Sequence, residues 1–226
     1  MTFQGEATSS LKLRPEGVRI KHTVNGNSVK MYNKQGSVLR IETTINNPQD
    51  FKVYRPKHSD ENVLEWQPMR KGIADLHRRA QVSQASNNRY AEALASTSET
   101  TPLKVLADSI CQPTEFEGWR ARAINPWDDK DGVLLEAISR GEFAVNGLRN
   151  RDLQRLLYTD EPTTPADKRK RSAAISRQLR LLRAHGLLQK VSRTHRYVLT
   201  EKGRTTVTAL TTARNASTES LTKLAA

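Results

Sequence analysis

The stretch GLRNRDLQRLLYTDEPTTPADKRKRSAAISRQLRLLRAHGLLQKVSRTHRYVLTEKGRTTVTAL, residues 147–210, decides the reading of this chain. Its opening places Leu148, Leu153, Leu156 and Leu157 at helical spacing, which predicts a short helix. A polar turn with Pro162 and Pro165 follows from Thr159 to Asp167, and then a second helix that Gly186 ends at its C-cap. Two short alternating runs joined by Ser192-Arg193-Thr194-His195-Arg196 predict a hairpin with a basic tip. The phrase Tyr197-Val-Leu-Thr-Glu-Lys-Gly-Arg204, followed by Val207 and Leu210, leads into a last helix.

The second helix has two chemically different sides. At about 100° per residue, Ile175, Leu179 and Leu182 share a packing face. The other side carries Arg169, Lys170, Ala173, Arg177 and Arg180, with Ser176 at its margin. From Gly147 to Arg204 fifteen Lys and Arg stand against five Asp and Glu, so most of the net charge of +13 is concentrated in this region. A basic run is commonly a solvated face, but this one lies opposite the packing residues, where a groove-reading helix carries its contacts.

This order of elements, closed by YxLTxxGR, resembles the winged helix-turn-helix domains of bacterial DNA-binding regulators. The resemblance implies a duplex-DNA-binding domain over 128–210 whose second helix enters the major groove. The expected contacts are Arg169, Lys170, Arg171, Ser172, Ser176, Arg177 and Arg180 on that helix, and Arg193, His195 and Arg196 on the wing. Arg suits bidentate reading of guanine, while Lys and Ser more often hold phosphates.

Composition narrows the remaining classes. With 36% hydrophobic and 27% charged residues, two small domains are favoured over one large core. The positive charge makes polyanions the first partners to consider. The single cysteine, Cys111, excludes an intramolecular disulfide and a multi-cysteine zinc site. Histidines 22, 58, 77, 185 and 195 show no HxH or HxxxH spacing, so no metal or cofactor is expected. No apolar run approaches the roughly 18 residues that span a bilayer, and MTFQGEATSS lacks the features of a signal peptide. The expected address is a bacterial cytoplasm, in a regulatory or mobile-element protein; a homodimer and a preceding domain are both left open.

The N-terminal third predicts an antiparallel meander. Val18–Val24, Ser28–Asn33 and Val38–Ile45 alternate, separated by Asn25-Gly26-Asn27 and Lys34-Gln35-Gly36. Alternation puts Val18, Ile20, Val24, Val29, Met31, Leu39, Ile41 and Ile45 on one face. Arg19, Lys21, Lys30, Tyr32, Lys34, Arg40 and Glu42 then share the other. Three strands make a poor domain alone. The meander is therefore expected either to be covered by helices from the middle segment or to end a longer, truncated domain. The string MYNKQGSVLRIE resembles part of the nuclease region of rolling-circle replication initiators. That likeness, over about twelve residues, implies Tyr32 as nucleophile, Lys34 as phosphate contact and Glu42 as metal ligand. The histidine-rich strand of those enzymes has no counterpart here, and a non-catalytic sheet resting on nucleic acid uses the same residue types.

The expected fold class is α+β, a small antiparallel sheet with helices followed by a winged helix-turn-helix. The segments are a meander region over 1–67, a helical connector over 68–127, the winged domain over 128–210 and a tail over 211–226. Within the connector, Pro68 is read as opening a helix that runs to about Ala95, Leu103–Ile110 as another, and Phe116–Trp127 as irregular with Trp119 and Trp127 as packing anchors. The reading is a duplex-DNA-binding protein rather than an enzyme. A DNA-nicking enzyme and a protein-interaction adaptor are the competing classes.

Overall fold

The computed structural model describes residues 8–34, 36–57, 60–95 and 100–219, and the chain is α+β. It folds as two compact units, one of residues 1–91 with Gly141–Asn146 and one of 92–140 with 147–226. The connector read as 68–127 is shared between them.

The first, the sheet unit, is built on four antiparallel strands in sequential order: β1 (Thr8–Arg14), β2 (Gly17–Val24), β3 (Asn27–Lys34) and β4 (Val38–Thr44). The three alternating runs are strands as expected. Asn25 and Gly26 both take positive φ, 51° and 78°, in the tight turn that joins β2 to β3. The additional edge strand β1, TSSLKLR, has only two apolar residues and is exposed throughout, so little in its pattern announces it. The register sets Ile20 beside Met31 and Ile41, and Arg19 beside Tyr32 and Arg40, so the two expected faces are real. Burial follows them only in part: Val24, Val29 and Met31 are buried, whereas Leu39 is 59% exposed.

After a 3-10 turn at Pro48–Asp50, β5 (Lys52–Lys57) pairs with β6 (Asp60–Pro68). Helix α1 (Leu76–Ala95) follows. Pro68 thus ends a strand, opposite Lys52, instead of opening a helix. Proline suits the first helical turn, but it is also tolerated where a two-stranded ribbon leaves its nitrogen unpaired. Phe51, Met69 and Val82 form a small core with Ile45 beside them. Helix α1 covers one end of the apolar sheet face, where Thr43 Oγ1 donates to Asn87 Oδ1 at 2.8 Å and His22 meets Tyr90. A middle-segment helix therefore does cover the meander.

The second, the helical unit, contains α2 (Leu103–Asp108), β7 (Thr114–Phe116), β8 (Trp119–Ala121) and α3 (Asp129–Ile138). The short helix α4 (Phe143–Asn146) belongs to the sheet unit. The helical unit resumes with β9 (Leu148–Arg149), α5 (Asn150–Leu157), α6 (Pro165–Ala184), β10 (Leu188–Lys190), β11 (Arg196–Leu199) and α7 (Glu201–Asn215). Strands β10, β11 and β9 form a sheet in that order. The core is Leu134, Leu135, Ile138, Leu153, Ile175, Leu179, Leu182, Leu187, Val207 and Leu210, matching the expected packing faces of the helices. The segment 116–127 departs from expectation. It contains a hairpin turning on Glu117 and Gly118, both at positive φ, which a Glu-Gly pair signals weakly because Glu seldom adopts that conformation. Trp127 is 56% exposed and anchors nothing.

No helix among the described residues is long and apolar enough to cross a membrane.

Candidate nucleic-acid interface

The candidate surface is built around α6, and its local geometry follows from named residues. Thr164 caps the helix, its hydroxyl accepting from the Asp167 amide at 3.1 Å, and Pro165 occupies the first turn. At the other end Gly186 takes φ of +71°. Its amide donates to Arg183 O and that of Leu187 to Leu182 O, the paired bonds of a Schellman stop. Asn150 fixes α5 against α6: its side-chain amide donates to Ser172 O at 2.8 Å and to Ser176 Oγ at 2.9 Å. Asp152, on the same helix, accepts from the Arg149 amide at 2.7 Å, and burial pushes its carboxyl above the ordinary value.

The phrase YVLTEKGR closes the unit. Thr200 Oγ1 donates to Gly186 O at 2.6 Å and accepts from the Gly203 amide at 2.9 Å. A Cβ at Gly203 would lie 2.1 Å from Leu187 O, so only glycine lets α7 approach this closely. Arg204 donates to Leu199 O at 3.0 Å and pairs with Glu92. Every functional group of the phrase that these bonds engage serves closure of the fold.

The ten expected contact residues separate into two groups. Arg169, Lys170 and Arg177 are exposed on the first four turns of α6, and no described residue pairs with their side chains. Arg193, at φ +58°, and His195 are exposed on the tip between β10 and β11. The others are engaged. Arg171 is half-buried, paired with Asp167 at 2.9 Å, bonded to Asp160 O and placed over the Tyr158 ring at 4.9 Å, so it braces the turn between α5 and α6. Ser172 and Ser176 are tied to Asn150. Arg180 lies 4.6 Å over Trp119, on the β7–β8 hairpin. Arg183 joins it there, over Phe116 and paired with Glu117 at 3.1 Å. Arg196 is buried at 7% exposure beside Arg149 and is no surface contact. The β7–β8 hairpin thus occupies the last turns of α6, at Arg180 and Arg183, and leaves Arg169, Lys170 and Arg177 open. Sequence reasoning missed this hairpin, and with it the fate of Arg180.

Beneath this surface Arg122 grips the buried Asp131 through two bonds of 2.7 and 2.6 Å, and the Asn125 amide adds a third at 3.0 Å. Burial raises the Asp131 carboxyl, but Arg122 and the Asn125 bond more than offset it and hold it below the ordinary value. His185 donates from Nε2 to Arg122 O at 2.8 Å, and burial lowers its pKa. Cys111 is half-buried, and burial and Asp108 raise its thiol.

The three residues that the nicking-enzyme likeness points to lie on one sheet face. Tyr32 Oη donates to Glu42 Oε1 at 3.0 Å. Glu42 also pairs with Arg40 at 2.8 Å and with Lys30 at 3.6 Å. Both of its oxygens are already engaged, and burial notwithstanding, Tyr32, Arg40 and Lys30 hold the carboxyl below its ordinary value. Lys34 is exposed at the end of β3. Among the described residues no three His, Cys, Asp or Glu converge as a metal site would need.

No protein-family model, curated protein or solved structure matches this chain.

Proposed function

We propose that the helical unit is a winged helix-turn-helix that binds duplex DNA, with the first four turns of α6 in the major groove and the β10–β11 tip against the flanking backbone. The observation that carries this reading is the open row Arg169, Lys170, Arg177. These three cations, with Lys168 beside them, have no acid partner among the described residues and sit on a capped helix whose Arg171, Arg180 and Arg183 are engaged internally. The order α3, β9, α5, α6, β10, β11, with β11 between β9 and β10, supports it as the topology such domains use. A major groove is wide enough for one helix, and exposed Arg at its leading turns reaches base edges.

The test is a fluorescence titration of the full chain with a selected duplex and a random one, across salt. Contacts to about five phosphates give a log–log slope of roughly −4 to −5. Arg177→Ala should cost about 1–3 kcal/mol of discrimination between the two duplexes, and Arg193→Ala should weaken both about equally. A slope near zero would replace duplex binding with the adaptor reading.

A further inference from the structure

The cations of the four-stranded sheet form a grid that duplex reading by α6 does not use. Register places Lys12, Arg19, Tyr32 and Arg40 in one row across β1 to β4. Lys21, Lys30 and Glu42 make the next row, and Arg14 and Lys34 a third. Seven Lys and Arg on these strands thus face a single strand carboxylate, Glu42. Ser9, His22 and Thr43, which bond to α1 and the Gly141–Asn146 segment, all lie on the opposite face. The cationic face is therefore uncovered by them. Arg19 Nε, shielded from solvent, finds no acceptor among the described residues, and the side chains of Lys12, Lys21 and Lys34 pair with no described residue.

We infer that this face is a binding platform for single-stranded nucleic acid, with the phosphodiester chain on the cation rows and a base against the Tyr32 ring. Charge complementarity selects a polyanion, and the geometry selects a single strand. Cations two residues apart on a strand stand about 6.6 Å from each other and those on adjacent strands about 4.8 Å, a two-dimensional grid that a flexible chain can follow. A duplex presents its phosphates on a stiff convex surface and would reach only part of such a grid. Tyr32 lies between Arg19 and Arg40 in the middle of the first row, and Glu42 fixes its ring by holding the hydroxyl. An aromatic ring amid cations on a sheet is a sequence-tolerant stacking site.

The experiment measures anisotropy of a labelled oligo(dT) and of a random duplex with the full chain, across salt. Lys12→Ser/Lys21→Ser/Lys34→Ser should weaken oligo(dT) binding by about tenfold or more at low salt and flatten its salt slope by about 2, at roughly 0.7 per lost single-strand phosphate contact. Tyr32→Ala should weaken it by about 5- to 100-fold, while Tyr32→Phe, which keeps the ring, stays within about twofold. If the triple variant melts early, Lys12→Ser/Lys34→Ser replaces it, since both side chains are exposed. Arg169→Ala/Arg177→Ala should spare oligo(dT) binding, so failure of duplex reading by α6 leaves this proposal standing. In the sheet variants, an unchanged oligo(dT) slope, or loss of duplex binding with oligo(dT) binding retained, overturns it.

Discussion

The two units are stabilised differently. Among the described residues, eleven of the twelve largest fully buried side chains lie in the helical unit, and the sheet unit supplies Met69. Exposed apolar residues are distributed the other way, with Leu11, Leu13, Leu39, Tyr54, Val63 and Leu64 all on strands of the sheet unit. A helix buries a stripe against its neighbours in one step, as α6 does with Ile175, Leu179 and Leu182. A sheet buries a face only where another layer lies on it, and here the layer reaches His22 and Thr43 but not Leu13 or Leu39. Cohesion in one unit comes from close apolar packing. In the other, strand pairing carries more of the load, and β1, the end of β3 and the start of β4 remain exposed.

Four substitutions would break or sharpen that contrast. The largest effect is expected for Leu182→Ala, whose side chain is fully buried: about 2–5 kcal/mol lost, read as faster amide exchange throughout the helical unit of the full chain. Comparable loosening of β1–β4 would show that the units are not separately stabilised. Next is Asp131→Asn, at about 1.5–3 kcal/mol near neutral pH, because bonds to Arg122 and the Asn125 amide lose their charge. The folded carboxyl sits below its ordinary value, so its contribution is complete above that value and is lost as pH falls through the folded one. Wild type and variant should therefore converge in acid; a constant gap in chemical denaturation would refute the charge argument.

Thr200→Ala should cost about 1 kcal/mol, since it removes the cap of α7 and the bond to Gly186 O together. The smallest effect belongs to Leu39→Ser, within about 0.5 kcal/mol by denaturant melting, because the side chain is already in water.

Acidification sharpens the comparison through a buried histidine in each unit. His22 has its ring nitrogens at 2.7 Å from Ser9 Oγ and 3.2 Å from Tyr90 Oη, and burial lowers its pKa while Glu142 opposes that. His185 is lowered by burial, with Lys202 and Arg122 adding to it and the Arg122 carbonyl and Asp131 opposing. For both, the folded value is depressed, so the stability they confer is present above about pH 6.5 and is lost as pH falls through the folded value. His185→Gln should flatten that pH dependence in exchange measured on the helical unit alone. An equal flattening in the sheet unit would contradict the assignment.

Legibility in the sequence followed the same divide. The helices of 150–184 were readable because Leu153, Ile175, Leu179 and Leu182 repeat at helical spacing ahead of a Gly stop, although the Thr164-Pro165 start of α6 was read as part of the preceding turn. Strand β6 was not, because it opens on Asp60-Glu61-Asn62, the adjacent Val63 and Leu64 break the alternation, and its last residue is a proline. The β7–β8 hairpin was hidden behind a Glu-Gly turn. The faces of β2–β4 were correctly separated, since a pleat of period two fixes them whatever lies above.

By itself the sequence determined the α+β class, the C-terminal stop of α6, the basic tip and the segregation of Tyr32, Lys30, Lys34, Arg40 and Glu42 onto one sheet face, whereas α6 begins at Pro165, inside the segment read as a turn. Only the tertiary structure decided which cations are free. Arg171, Arg180 and Arg196 look like Arg169 and Arg177 along the chain, yet Tyr158, Trp119 and the β9–β11 pairing take them out of solvent contact or occupy their charged ends. The partner that claims a long cationic side chain lies far from it in sequence, so periodicity can place the side chain on a face but cannot say whether that face is already occupied.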